Sequence, residues 1–88
     1  MITSTNNIET FVRAKAVRFD KNILFITLSD GREVSLPIDQ MSWLKWLVKA
    51  TADQRAKWII EPGGYAVYWD ELDDGIELQH LLSIQALE

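Results

Sequence analysis

Alternation of apolar and polar residues dominates the first part of the chain. Arg13-Ala14-Lys15-Ala16-Val17-Arg18-Phe19 mostly alternates charged or large residues with small ones, as a strand does. Asp20-Lys21-Asn22 is a short polar turn. The run from Ile23 to Leu28 is β-branched and apolar on both faces, so it reads as a central, well-covered strand. Ser29-Asp30-Gly31-Arg32 follows, and Asp-Gly supplies the positive φ values of a type I′ hairpin turn. In Glu33-Val34-Ser35-Leu36 the apolar residues Val34 and Leu36 face inward, and Pro37 ends the ladder because it has no N–H.

The period then changes. Asp39 is a suitable N-cap for a helix from Gln40 to Ala50. Ser42, Lys45 and Lys49 fall in a narrow arc of that helix, and Met41, Trp43, Leu44, Trp46, Leu47, Val48 and Ala50 occupy the rest. The apolar arc spans about 220°, against the roughly 100° stripe of an ordinary surface helix. The second helix and the terminal element, or a partner, must cover the excess. Thr51-Ala52-Asp53-Gln54 has the form of a capping box and predicts a second helix through Arg55 to about Trp58 or Ile59. Glu61-Pro62-Gly63-Gly64 is a turn, Tyr65-Ala66-Val67-Tyr68-Trp69 a strand, and Asp70 to Gly75 an acidic loop. Ile76 to Leu82 suits a short helix or a short strand.

Strands followed by helices predict an α+β fold. The expected architecture is an antiparallel β-meander of about three strands, plus a fourth C-terminal strand, packed against two short helices. The fourth strand joins the sheet or pairs with the segment before the Gly-Gly turn. Residues 1–9 read as a flexible N-terminal tail, and residues 10–88 as a single α+β domain.

Composition narrows the function classes. The chain has 88 residues, 48 % of them hydrophobic, which is the make-up of a globular domain. It has no cysteine, so disulfides, cysteine-bound zinc and thiol catalysis are excluded. The N-terminus lacks the pattern of a signal peptide, and no apolar run reaches the roughly 20 residues of a membrane span. A cytoplasmic, bacterial protein without membrane contact is expected. The net charge is −4, which argues against direct contact with nucleic acid. All nine basic residues lie between Arg13 and Lys57, and from Trp58 onward there are seven carboxylates. The two halves are expected to neutralise each other in the fold, or to leave an acidic surface for a basic partner.

Several stretches together resemble the domain-of-unknown-function 2442 family. They are Asp30-Gly31-Arg32, Leu36-Pro37, Trp43-Leu44, Ala50-Thr51 with Gln54-Arg55, and Gly64 through Leu82. Trp69-Asp70-Glu71-Leu72-Asp73-Asp74-Gly75-Ile76 and then Leu81-Leu82 carry most of the likeness, which covers roughly residues 12–82. Members often have proline after the tryptophan, where this chain has Asp70, and an acid before the isoleucine, where it has Gly75. The resemblance implies a small bacterial or phage α+β domain, found alone or in front of a helix-turn-helix domain. It also implies an arrangement beside another small protein that is reminiscent of toxin–antitoxin pairs. It implies no established activity.

Four clusters merit testing as sites. The carboxylates Asp70, Asp73 and Asp74, with Glu71 and Glu77, offer oxygen ligands to a metal, but without the spacing of an EF-hand; a solvated acidic loop is the plainer account. His80 is the single histidine and has no nucleophile-elbow serine to serve, so no catalytic residue and no cofactor is assigned. Arg13, Lys15, Arg18 and Lys21 suit edge protection of a strand better than phosphate tracking. Four tryptophans are many for this length, and Trp43 and Trp46, with Lys45 and Lys49, form the candidate interface. The leading expectation is a non-catalytic protein–protein interaction module: a homodimer, or an antitoxin-like or accessory subunit of a neighbouring gene product. A metal- or ligand-binding domain using the acidic loop 70–77 and a transcription-regulatory domain are the alternatives.

Overall fold

Local turns build the first sheet. A computed structural model describes residues 12–86, with side chains as far as Ser83. Within it β1 (Ala14–Asp20), β2 (Ile23–Leu28) and β3 (Glu33–Pro37) pair antiparallel in the order β1-β2-β3. The tail expected over residues 1–9 lies outside the described residues. The Asp-Gly hairpin forms where the sequence places it, but its turn is not type I′. Gly31 has φ 94°, whereas Asp30 is not left-handed. The Gly31 N–H donates to the Leu28 carbonyl at 3.0 Å, and the Leu28 N–H to the Arg32 carbonyl at 2.8 Å. This is a type I turn closed by a glycine bulge, which spares Asp30 the strained backbone.

Leu24, Ile26 and Leu28 are buried on the inner face of β2. Its outer face has no layer over it: the Arg18 guanidinium lies 3.9 Å from the centre of the Phe25 ring, and Ile23 is exposed. The expectation of a strand covered on both faces is therefore corrected; side chains from neighbouring strands take the place of a second layer. A bulge in β1 sets Ala14 opposite Leu28 and Ala16 opposite Thr27, so Lys15 is the extra residue. The bulge brings Ala14 and Val17, three apart, both to the core side. It explains the imperfect alternation of this stretch.

The long helix expected from Gln40 to Ala50 is replaced by three short pieces. Ile38–Gln40 and Ser42–Leu44 form 3-10 turns, separated by extended Met41 (φ −119°, ψ 113°), and only α1 (Lys45–Val48) is α-helical. Asp39 sits inside the first turn rather than capping it. Ile38, Leu44 and Leu47 are all fully buried. On one straight helix Ile38 and Leu44 would stand about 120° apart. The break at Met41 lets both reach the core, and with it the continuous wide apolar arc disappears.

The capping box forms as predicted. The Gln54 N–H donates to the Thr51 hydroxyl and the Thr51 N–H to the Gln54 side chain, both at 3.0 Å, and they start α2 (Ala52–Arg55). The helix ends sooner than expected, because Trp58-Ile59-Ile60 is strand β4. It pairs antiparallel with β5 (Ala66–Trp69), which pairs with β6 (Asp74–Glu77), giving a second sheet of order β4-β5-β6. The fourth predicted strand thus pairs with the segment before the Gly-Gly turn. The Ile76–Leu82 stretch is both of its alternatives in succession, the end of β6 and the start of α3 (Leu78–Ala86). The architecture is α+β, with one buried cluster joining both sheets. Leu24, Ile26, Leu36, Leu47, Val67, Trp69 and Leu81 belong to it. No helix among the described residues is long and apolar enough to cross a membrane.

Candidate functional site

Trp43 and Trp46, the aromatic pair of the candidate interface, are half-buried. Trp46 packs edge-on against Trp69, with ring centres 5.5 Å apart, and its Nε1 donates to the Trp43 carbonyl at 2.9 Å. Trp43 meets the His80 ring edge-on at 4.9 Å. Lys45 and Lys49 are exposed beside them. Each indole therefore gives one part to the core and leaves the rest outward. Among the described residues, the large hydrophobic residues with the greatest exposure lie elsewhere, at Ile23, Ile59 and Tyr65.

The acidic stretch turns sharply through a 3-10 turn at Asp70–Leu72, and Asp73 is left-handed (φ 52°). Three of its carboxylates are occupied separately. Asp73 accepts from the Tyr68 hydroxyl at 2.6 Å, Asp74 from the Gly75 N–H at 2.8 Å, and Glu71 from Lys57 Nζ at 2.9 Å. Among the described residues no three carboxylate or histidine groups are brought together as metal ligands. The Asp73 acceptor pushes the Tyr68 hydroxyl up to about 12, helped by the negative charge around it. The hydrogen bond that Lys57 donates to Glu71, then that to Asp53, raises Lys57. Gly75 has a local reason: a Cβ there would lie 2.7 Å from the Val67 carbonyl and 2.8 Å from the Tyr68 ring. An acid at this position would displace that ring.

Ion pairing between the halves is sparse. Arg18–Glu33, Arg32–Asp30 and Lys57–Asp53 pair within the first part of the chain, and among the described residues only Lys57–Glu71 reaches the acidic part. Among the described residues, direct ion pairing between the two halves is thus confined to one exposed bridge.

A further surface feature is framed by β1, α2 and the start of β4. Val17, Arg18, Phe19 and Lys21 of β1 and its turn, Ala52, Arg55 and Ala56 of α2 and its end, and Trp58 of β4 line an open groove of about 490 Å³. Arg55 organises it. Its Nε donates to the Leu47 carbonyl at 2.9 Å, one terminal nitrogen to the Lys21 carbonyl at 3.0 Å, and the other to Asn22 Oδ1 at 3.2 Å. The guanidinium also lies 5.3 Å from the centre of the Phe19 ring. Its planar fork thus ties the end of α1 to the β1–β2 turn, whose Lys21 lies 34 residues before Arg55 in sequence. The Arg55 carbonyl in turn accepts from Trp69 Nε1 at 3.0 Å. Among the described residues no carboxylate neutralises Arg55 or Lys21, so the groove keeps a positive wall. No single stretch of sequence announces this groove; the only signals were the basic residues of β1 and the Gln54-Arg55 pair in the family likeness.

Two small three-stranded antiparallel sheets over one core, with short helices between and after them, define the class of protein: a small α+β domain. Its membership is narrower than that. Residues 14–85 match the family described as "Protein of unknown function (DUF2442)", and the chain belongs to it. The fold is similar to the crystal structure of a protein of unknown function from Rhodospirillum rubrum. That match has TM-score 0.67 and 26 % identity over 82 % of this chain and 86 % of the other. It is also similar to the solution structure of an uncharacterized protein from Chromobacterium violaceum, with TM-score 0.68 and 20 % identity over 94 % of this chain and 79 % of the other. No curated protein matches the chain.

Proposed function

We propose that this chain is a protein-recognition module whose principal binding surface is the groove between β1, α2 and the start of β4. The observation that carries this reading is the pairing of an apolar floor with cations that lack carboxylate partners among the described residues. Val17, Phe19 and Trp58 supply the floor, and Lys21 and Arg55 the cations. Apolar floor and charged rim together are what a specific, electrostatically steered protein contact uses. A second reading places the contact on the outward parts of Trp43 and Trp46 with Lys45 and Lys49. It is favoured by two half-buried indoles beside two exposed lysines.

Site-specific photo-crosslinking in the native host separates the two. A photoreactive residue at Ala56 should trap one discrete protein, while the same residue at Ser35, on the outer face of the first sheet, should not. Trapping from Lys45 but not from Ala56 would move the site to the tryptophan face. Failure at both positions would overturn the recognition reading altogether.

A further inference from the structure

The β1 edge has a definite hydrogen-bonding pattern. The Leu28 N–H donates to the Arg32 carbonyl in the turn leading to β3, so even-numbered residues of β2 bond toward β3 and odd-numbered ones toward β1. Through the register, Ala16 opposite Thr27, Arg18 opposite Phe25 and Asp20 opposite Ile23 are the residues of β1 that bond to β2. Val17 and Phe19 therefore turn their N–H and C=O groups to the free edge of the sheet. Among the described residues these groups find no other backbone partner, since β1 and β4 share no ladder although they are neighbours. Both residues line the groove.

From this we infer that the groove takes an extended, acidic segment of a partner protein, which adds to β1 as a fourth strand of the first sheet. The inference rests on the recognition reading above and specifies its chemistry. Strand addition gives the outward N–H and C=O groups of Val17 and Phe19 their partners. Side chains of the added strand on the core side would fall onto Phe19, Ala56 and Trp58, so alternate apolar residues are wanted there. Lys21 and Arg55, which have no carboxylate partner among the described residues, select for acids on the rim. A second copy of the chain is the poorer occupant: β1 laid against β1 gathers Lys15, Arg18 and Lys21 of both copies at one seam, with only the Asp20 carboxylates within it to offset them. The other outer edge of the first sheet is less suited, because β3 ends in Pro37, which has no N–H to give. Edge protection and partner selection are thus one device, closing the edge to basic and neutral strands while leaving it open to acidic ones.

The test uses the whole chain and three synthetic peptides: one of alternating valine and glutamate, its lysine counterpart, and the glutamate peptide N-methylated on the face that would pair with β1. Amide exchange and chemical shifts are read at Val17 and Phe19. The glutamate peptide should protect both amides, bind more weakly as salt is raised, and outbind the lysine peptide by about tenfold or more. N-methylation should abolish protection, and Lys21→Asp, which keeps a residue tolerant of the left-handed backbone there, should weaken binding severalfold without changing the melting temperature. Equal binding of the N-methylated peptide would mean charge attraction alone and would overturn strand addition while leaving the recognition reading intact. Protection that grows with protein concentration and without peptide would mean β1–β1 pairing, and would overturn the acidic partner. Absence of binding at millimolar glutamate peptide would overturn the inference even if crosslinking from Ala56 succeeds.

Discussion

The two sheets are alike in strand number and sense, yet they are held in different ways. The first is built from neighbours in sequence: two tight turns join three strands, and the register follows from alternate burial of Leu24, Ile26, Leu28, Val34 and Leu36. The second has strands of three or four residues, and its order depends on side chains that reach backbone groups elsewhere. The Trp69 indole is tied to the Arg55 carbonyl and Arg55 to the turn of the first sheet, and Gly64 packs closely against Arg13 at the entry to β1. A short strand has too few ladder bonds and too little buried face to specify itself. The second sheet should accordingly be sensitive to single atoms where the first is tolerant.

Glycine substitutions give the widest separation. Gly64 has φ 76°, and a Cβ there would lie 2.6 Å from Arg13 Cβ, where the chain entering β1 crosses it. Gly31 has φ 94°, but nothing lies within 4 Å of its added Cβ. Both replacements pay left-handed strain of about 1–2 kcal/mol, and only Gly64→Ala adds overpacking of about 1–3 kcal/mol. Urea unfolding should show Gly64→Ala destabilised by roughly twice as much as Gly31→Ala. Equal losses would mean that the contact between Gly64 and Arg13 does not hold the sheets in place.

Arg55→Lys comes next. Lysine keeps the charge but not the fork that meets the Leu47 and Lys21 carbonyls and Asn22 together. Losing two of these charge-assisted bonds at a half-buried site should cost about 2 kcal/mol, seen as a lowered urea midpoint. Exchange should rise first at the amides of β4 and β5, with those of β2 and β3 still protected. Uniform loss across both sheets would show that the two unfold as a unit and that the contrast drawn between them has no energetic meaning.

What the sequence made legible follows the same division. The Asp30-Gly31 hairpin, the Pro37 stop and the Thr51–Gln54 capping box are each written in a few adjacent residues, and all three formed. The kind of turn at Gly31 was missed because Asp-Gly serves both a two-residue turn and a glycine bulge, and the register of the flanking strands decides between them. The predicted helix ran on to about Trp58 or Ile59 because the strand partner of those residues, β5, lies later in the chain and is not visible in local periodicity. The break at Met41 answers to the burial of Ile38 and Leu44 together, a demand of the core rather than of the local chain. The groove joins Val17 and Phe19 to Ala52, Arg55 and Trp58, residues from two halves of the chain, so no spacing rule could have assembled it. The wide apolar arc that singles out Trp43 and Trp46 belongs to an unbroken helix, which extended Met41 interrupts.

The smallest effect expected is also the most local. Tyr68, on the outer face of the second sheet, gives its hydroxyl to Asp73 at 2.6 Å and is pushed up to about 12 from an ordinary value of 10.0. Because the folded value is the higher one, this hydrogen bond stabilises the native state fully below pH 10. Its contribution is lost as pH rises through the folded value. Absorbance titration should show Tyr68 ionising well above the ordinary tyrosine value, and Asp73→Asn should bring it back toward that value. In the first sheet the comparable exposed pair is Asp30 with Arg32, where the Arg32 N–H, opposed by desolvation, holds the carboxyl below 3.8. That contribution is present at neutral pH and is lost as pH falls through the folded value. The two turns therefore weaken at opposite ends of the pH range. If Tyr68 titrates normally while Asp30 remains low, the acidic turn is not closed on the sheet, and the second half of the molecule is looser than its hydrogen bonds imply.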